Sequence, residues 1–130
     1  MVPIKKLPDA EFGIMKVIWQ LEPPVTSGMI MDVLNRENEK VRKLQTVHTL
    51  LNRLVDRGFL RSEKKGKERL FTPLIDRDEY LQFETKKFVK LYHGGSLLNL
   101  VNTAYQGQEL SSEEIAELVK WADERRERSE

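Results

Sequence analysis

Residues 45–60 read QTVHTLLNRLVDRGFL, and their spacing predicts one amphipathic helix. Val47, Leu50, Leu51, Leu54 and Val55 fall at i, i+3, i+4, i+7 and i+8, so at about 100° per residue they form a single apolar stripe. The opposite face carries Gln45, Thr49, Asn52, Arg53 and Asp56, with Thr46 and His48 on its flanks. Gly58 supplies the stop. No good N-cap residue occurs from Val41 to Leu44, so the spacing leaves the first turn open within that stretch.

Two helices are expected before it and a hairpin after it. Pro8 and Asp9 start the first helix, because proline's missing N–H costs nothing in a first turn and Asp9 and Glu11 complement the helix dipole. Phe12, Met15, Ile18 and Trp19 form its inner stripe, and Pro23-Pro24 end it. Thr26 or Ser27 caps a second helix whose Ile30, Val33 and Leu34 face inward, with a polar loop from Asn35 to Lys40. After Gly58, FLRSEK and ERLFT flank Lys65-Gly66-Lys67, a glycine-containing turn between two short strands. In that hairpin Leu60 and Leu70 are expected inward and Arg61, Glu63 and Arg69 outward. The expected fold is mainly α with a small β-hairpin: a winged helix-turn-helix domain over residues 1–74, then a helical domain over 75–130.

The net charge of +1 conceals an asymmetry. From Lys40 to Leu70 stand ten basic residues, namely Lys40, Arg42, Lys43, Arg53, Arg57, Arg61, Lys64, Lys65, Lys67 and Arg69, against Asp56, Glu63 and Glu68. This segment therefore carries +7, and the remainder of the chain −6. A charge run alone is commonly just a solvated face. Here it coincides with a polar helix face and a hairpin, which points to a localised polyanion footprint. Short hydrogen-bonding side chains on a helix suit the DNA major groove. Lys43, Gln45, Thr46, His48, Thr49, Asn52 and Arg53 are the helix candidates for contact, and Lys64, Lys65 and Lys67 the wing candidates. Arg53 and the lysines suit phosphates, whereas Gln45, Thr46, His48 and Thr49 suit base edges.

The chain's 130 residues, 39% hydrophobic and 33% charged, fit a soluble protein of one domain with a real core, or of a compact domain plus a small appendage. No apolar run reaches the ~18 residues of a membrane helix, and the N-terminus lacks a signal-peptide core, so no membrane insertion and a cytoplasmic location are expected. With no cysteine there are no disulfides, thiolate metal sites or cysteine nucleophiles. Only His48 and His93 are present, and neither G-x-S-x-G, a phosphate-binding glycine loop nor H-E-x-x-H occurs. Neither an enzyme nor a metal or cofactor is expected.

Beyond Pro73 the sequence predicts three helices. Asp76 and Glu79 have capping-box spacing ahead of Tyr80, Leu81, Phe83, Phe88, Leu91 and Tyr92, with a stop at Gly94-Gly95. Ser96 caps a helix bearing Leu97, Leu98, Leu100, Val101, Ala104 and Tyr105, ending at Gly107. Ser111 and Glu114 form a second capping box, with Leu110 and Ile115 as its staple, before Ile115, Leu118, Val119 and Ala122. A charged tail, DERRERSE, follows and is expected to fray. Three short helices cannot bury this many apolar side chains alone. A second copy of the chain is the expected cover, through Tyr80, Leu81, Phe88, Leu91, Leu97, Leu98, Val101, Ile115, Leu118 and Val119.

LPDAEFGIMKVIWQ, TVHTLLNRLVDRGFL, the hairpin end LFTP and LSSEEIAEL stand in one collinear order, and together they resemble the penicillinase repressor (BlaI/MecI) family of winged-helix regulators. The resemblance covers about Leu7 to Leu118. It implies a homodimeric transcriptional repressor whose winged helix binds inverted-repeat double-stranded DNA operators upstream of β-lactamase or penicillin-binding-protein genes. It also implies relief by a membrane-sensor protease that cuts the dimerisation region, where Thr103-Ala104 occupy the position of the family's cleavable bond. Copper-responsive relatives carry a cysteine-rich end, and a chain without cysteine lies outside that branch. Two other readings stay open: a winged helix relieved by a small-molecule signal, and one that meets an acidic protein instead of DNA.

Overall fold

The computed structural model describes residues 4–37 and 43–129. Helix α1 (Asp9–Gln20) is followed by α2 (Ser27–Glu37), α3 (Leu44–Asp56), strands β1 (Leu60–Lys65) and β2 (Glu68–Pro73), α4 (Arg77–His93), α5 (Leu97–Gln106) and α6 (Ser112–Ser129). Three helices and then a hairpin give the winged helix-turn-helix order. The chain divides into two compact units, Met1–Glu84 and Thr85–Glu130. That division lies ten residues beyond the 74/75 boundary expected from Pro73.

In the first unit the local signals act as their chemistry requires. Pro8 stands at the N-cap of α1, and its carbonyl accepts from the Phe12 N–H at 2.9 Å. The Thr26 hydroxyl accepts from the Met29 N–H at 3.2 Å, which caps α2. Helix α2 then continues through Asn35, Arg36 and Glu37, where the polar sequence predicts a loop. No glycine or proline follows Gly28 in the helix to stop it, and Arg36 reaches back to the Asp32 carbonyl at 3.3 Å. The expectations placed on 38–42, including the rest of that loop, a helix start as early as Val41 and the charges of Lys40 and Arg42, lie outside the described residues.

Helix α3 ends in a Schellman motif. Gly58 takes φ +83°, its N–H bonds the Val55 carbonyl and the Phe59 N–H bonds the Leu54 carbonyl, both at 3.0 Å. The reversal sends Phe59 and Leu60 into the core and launches β1. Strands β1 and β2 pair antiparallel from Leu60↔Pro73 to Lys65↔Glu68, which leaves Gly66 and Lys67 as a two-residue turn, with Gly66 at φ +63°. Val25 adds a bridge to Phe71 with N–H···O bonds in both directions, at 2.9 and 2.8 Å.

That register corrects the expected faces of the hairpin. Ser62 lies opposite Phe71, so Phe71 shares the inner face with Leu60, and Leu70 turns to the other side opposite Glu63. Leu70 is accordingly only half-buried. Arg69, expected outward, shares the Phe71 face, because residues two apart in a strand point the same way.

The core joins Ile14, Met15 and Ile18 of α1, Ile30 and Val33 of α2, and Val47, Leu50, Leu51 and Leu54 of α3 to Leu7, Val25, Phe59, Leu60, Phe71, Ile75 and Tyr80. Tyr80 is fully buried, which removes it from the expected dimerisation set. Its ring lies 5.5 to 6.1 Å from those of Phe12, Trp19, Phe59 and Phe83, and its hydroxyl accepts from the Leu7 N–H at 2.8 Å. Burial in this aromatic nest pushes its phenol up to about 12. The Trp19 indole N–H donates to the Ile75 carbonyl at 3.0 Å, a second tie between α1 and the chain that follows the hairpin.

Glu11, read from sequence as a first-turn acid, is 1% exposed. The Arg57 guanidinium stands 3.0 Å from its Oε2, although neither carboxylate oxygen has hydrogen-bond geometry to any partner. We read the pair as Coulombic on the short distance. It ties the end of α3 to the start of α1.

The second unit takes in the latter part of α4 together with α5 and α6. Its caps form as the sequence predicts: Ser96 accepts from the Asn99 N–H at 3.0 Å, and Ser111 and Glu114 exchange bonds at 3.1 and 3.3 Å. Ahead of α4, Asp76 and Glu79 do the same at 2.8 and 3.4 Å. Helix α5 stops at Gly107 as expected, and the end of α6 differs from expectation. Helix α5 ends in a Schellman motif whose left-handed residue is Gln108, at φ +61°, one position after Gly107. Helix α6 continues through the charged tail to Ser129, with Arg126 3.7 Å from Asp123 across one turn and Arg125 seated 4.3 Å over Trp121. Among the described residues of this unit, none is buried. Leu91, Tyr92, Leu97, Leu98, Tyr105, Val119 and Trp121 are each more than half exposed.

Candidate nucleic-acid interface

Two surfaces of the first unit meet. One is the polar face of α3. Burial of Val47, Leu50, Leu51 and Leu54 rotates Gln45, Thr46, His48, Thr49, Asn52 and Arg53 into solvent, and Lys43 is exposed at the N-cap. The other is the wing, where Lys64, Lys65, Gly66 and Lys67 are all exposed around the turn. Between them a cleft of about 250 Å³ is lined by Thr26, Ser27 and Gly28 of the α2 start, His48, and Lys67, Glu68, Arg69 and Phe71.

The hydrogen bonds define what the face offers. The Thr49 hydroxyl donates to the Gln45 carbonyl at 3.0 Å, so its proton is used within the helix while the side chain stays exposed. The Asn52 Oδ1 accepts from Arg69 at 2.7 Å. Gln45 and His48 keep mixed donor and acceptor capacity. Nucleic-acid edges mix donors and acceptors in the same way, while the exposed wing ammonium groups suit phosphates. The cations cluster without a matching acidic set: Glu63 lies 3.9 Å from Arg61 on the opposite face of the hairpin, and Glu68 opens β2 opposite Lys65.

Every helix and wing candidate named from sequence is thus exposed on this side of the unit. Arg69 is the residue that sequence reasoning missed. Alternation along ERLFT offers no way to choose between Leu70 and Phe71 as the inward residue; only the bridge to Val25 and the pairing with Ser62 decide it. Among the described residues no group of three or more His, Asp or Glu side chains could hold a metal ion, and no helix is long and apolar enough to cross a membrane.

The remaining expected dimerisation residues fall on α4, α5 and α6. Phe88, Leu91, Leu97, Leu98, Ile115, Leu118 and Val119 are exposed, while Leu81 and Val101 are half-buried. Thr103 and Ala104 lie inside α5, and the Thr103 hydroxyl donates to the Asn99 carbonyl at 2.8 Å.

Known proteins share both sequence and architecture with this chain. A penicillinase repressor of Bacillus licheniformis is 30% identical over 128 residues, which is 98% of each chain. The methicillin resistance regulatory protein MecI of Staphylococcus aureus is 25% identical, over 87% of this chain and 89% of its own. The solution structure of the DNA-binding domain of the repressor BlaI superposes with a TM-score of 0.51 at 31% identity, covering 62% of this chain and 94% of that domain. The family model described as penicillinase repressor matches residues 7–124. With a match that spans both units, and a relative at 30% identity along nearly the whole length, the chain belongs to the penicillinase repressor family.

Proposed function

We propose that the protein is a DNA-binding transcriptional repressor that acts in the cytoplasm as a homodimer on inverted-repeat operators. The observation that carries this reading is the continuity of the exposed polar face of α3 with a cationic wing, in a chain whose relatives include a penicillinase repressor. In this reading α3 enters the major groove, where Gln45 pairs with adenine, Thr46 and Thr49 present methyl groups to thymine, and His48 meets a base edge. Lys43, Arg53, Lys64, Lys65 and Lys67 neutralise phosphates. Occupancy of the operator blocks polymerase, and the controlled genes are of the β-lactam-resistance type that the relatives' names describe.

The dimer is supported by the second unit, which holds no buried side chain among its described residues yet exposes a row of leucines and aromatics. A second copy would cover them and place two reading helices about 34–36 Å apart, one helical turn of DNA. Relief of repression by a membrane-sensor protease would act at Thr103-Ala104. Because a protease takes an extended chain and this bond is helical, α5 would have to open first.

A gel shift with the promoter region of the gene that encodes the protein tests the reading. Retarded complexes that weaken with salt are expected. A protein that leaves this fragment and unrelated duplexes equally unshifted at low salt would refute it, and would favour the acidic-protein alternative. Sedimentation of the full chain beside residues 1–84, the first compact unit with its Tyr80 core intact, tests the dimer, which requires the fragment to be monomeric.

A further inference from the structure

Arg69 is an exposed cation of the interface that is fixed on three sides, and none of the groups fixing it is an acid. One guanidinium N–H donates to Asn52 Oδ1 at 2.7 Å and another to Ser62 Oγ at 3.1 Å. The guanidinium carbon lies 4.9 Å from the centre of the Phe71 ring. Phe71 is itself buried and bonded in both directions to Val25. An arginine of the wing is therefore anchored to the core from below and reaches across to α3 from the side.

The chemistry of this contact fixes the orientation of Asn52. A carboxamide can present either its oxygen or its nitrogen, but arginine has five donors and no acceptor, so Asn52 must turn its oxygen to Arg69. Its NH2 group is then left to face solvent on the same surface as Thr49 and Arg53. A side chain that would otherwise turn either its oxygen or its NH2 group to DNA is held with the oxygen toward Arg69 and the NH2 donors outward. Donors suit guanine N7 and O6, adenine N7, thymine O4 and phosphate oxygens, and they do not suit the amino groups of cytosine or adenine.

We propose that Arg69 is a positioning residue that locks the wing to the recognition helix and sets Asn52 as a donor toward DNA, without itself contacting DNA. This inference rests on the DNA-binding reading. It goes beyond that reading by giving a wing residue an effect on base choice. Phosphate-contacting lysines act on all sequences alike; Arg69 acts on the site that Asn52 faces.

The test uses full-length protein and duplexes that the wild type retains from a random-sequence pool. Arg69→Gln is expected to weaken binding to the retained duplex about tenfold, while leaving the slope of log affinity against log salt unchanged. Arg69→Lys keeps the charge but not the planar fork, and is expected to weaken binding nearly as much. Asn52→Ala combined with Arg69→Gln should cost no more than the worse single change, since both remove one unit. A random pool re-selected with Arg69→Gln should relax at one base position per half-site. A slope shallower by about 0.9 in Arg69→Gln, with full activity in Arg69→Lys, would make Arg69 a phosphate contact and overturn the proposal. Multiplicative losses in the double variant would overturn it too. If the wild type retains no duplex, the DNA-binding reading fails, and the clamp is judged alone by the NMR signal of the Asn52 side-chain amide in the free protein. That signal should move in Arg69→Lys, and its constancy refutes the lock.

Discussion

Replacing Tyr80 by Phe separates two effects of one hydroxyl group. At neutral pH the Tyr80 oxygen accepts the Leu7 N–H at 2.8 Å, and Leu7 is itself 2% exposed. Phe keeps the ring among Phe12, Trp19, Phe59 and Phe83 but leaves that N–H buried without a partner, at a cost of about 1–3 kcal/mol. At alkaline pH the difference narrows. In the folded chain the phenol is pushed up to about 12 from 10, so the neutral form is favoured by folding. A raised acid contributes stability fully below its unfolded value and loses it as pH climbs through the folded one. Between about pH 9 and 11 wild type should therefore lose about 1.4 kcal/mol that Tyr80→Phe does not lose, and near pH 12 the loss approaches twice that. Urea midpoints read from Trp19 fluorescence in a Trp121→Phe background give both numbers. The variant should be less stable at about pH 8, and the gap should narrow by about 2 kcal/mol by about pH 11.5. Parallel pH profiles, or a variant as stable as wild type at neutral pH, would refute the burial and bonding assigned to Tyr80.

Four further outcomes are expected. Combining Lys65→Ala with Lys67→Ala should flatten the salt dependence of DNA binding by about 0.9 for each phosphate no longer neutralised, checked by titrations at several salt concentrations. Arg57→Ala strands the buried Glu11 carboxylate; allowing for the partial exposure of Arg57, chemical denaturation should register a destabilisation of about 2 kcal/mol, and the double change with Glu11→Gln a smaller one. Gln108→Gly should stabilise the chain by about 1 kcal/mol in thermal or urea unfolding, because a residue with a Cβ now occupies a left-handed position at the end of α5. Leu98→Glu or Leu118→Glu should convert the assembly to monomers in sedimentation equilibrium without altering the melting of the first unit.

Much of the fold is legible in the sequence because the signals are local. Pro8, Thr26, Gly58, the Asp76 and Ser111 capping boxes and Ser96 each satisfy a helix end with neighbours a few residues away, and the stripe from Val47 to Val55 fixes which face of α3 is buried. The interface residues follow from that stripe, since whatever is not buried on α3 is presented. What is not legible depends on distant partners. The inward turn of Phe71 needs Val25, 46 positions earlier. Arg69 follows Phe71, and its bond to Asn52 spans 17 positions. Tyr80 reads as one more aromatic on an amphipathic α4, and only the approach of Leu7 at 73 positions' separation places it in the first unit. Glu11 reads as a dipole-complementing acid until Arg57 is brought beside it. The end of α6 differs for another reason: a run of charges suggests a frayed tail, whereas pairs one turn apart such as Asp123 and Arg126 keep it helical.

Lysine reactivity, mapped by amine acylation of the full-length protein with and without a promoter duplex, tests the central claim that α3 and the wing form the DNA-facing surface. Lys43, Lys64, Lys65 and Lys67 should be protected by the duplex, while Lys16 on α1 and Lys120 on α6 react as before. Unchanged reactivity of the wing lysines on a bound duplex, or protection centred on Lys16 or Lys120, would contradict it.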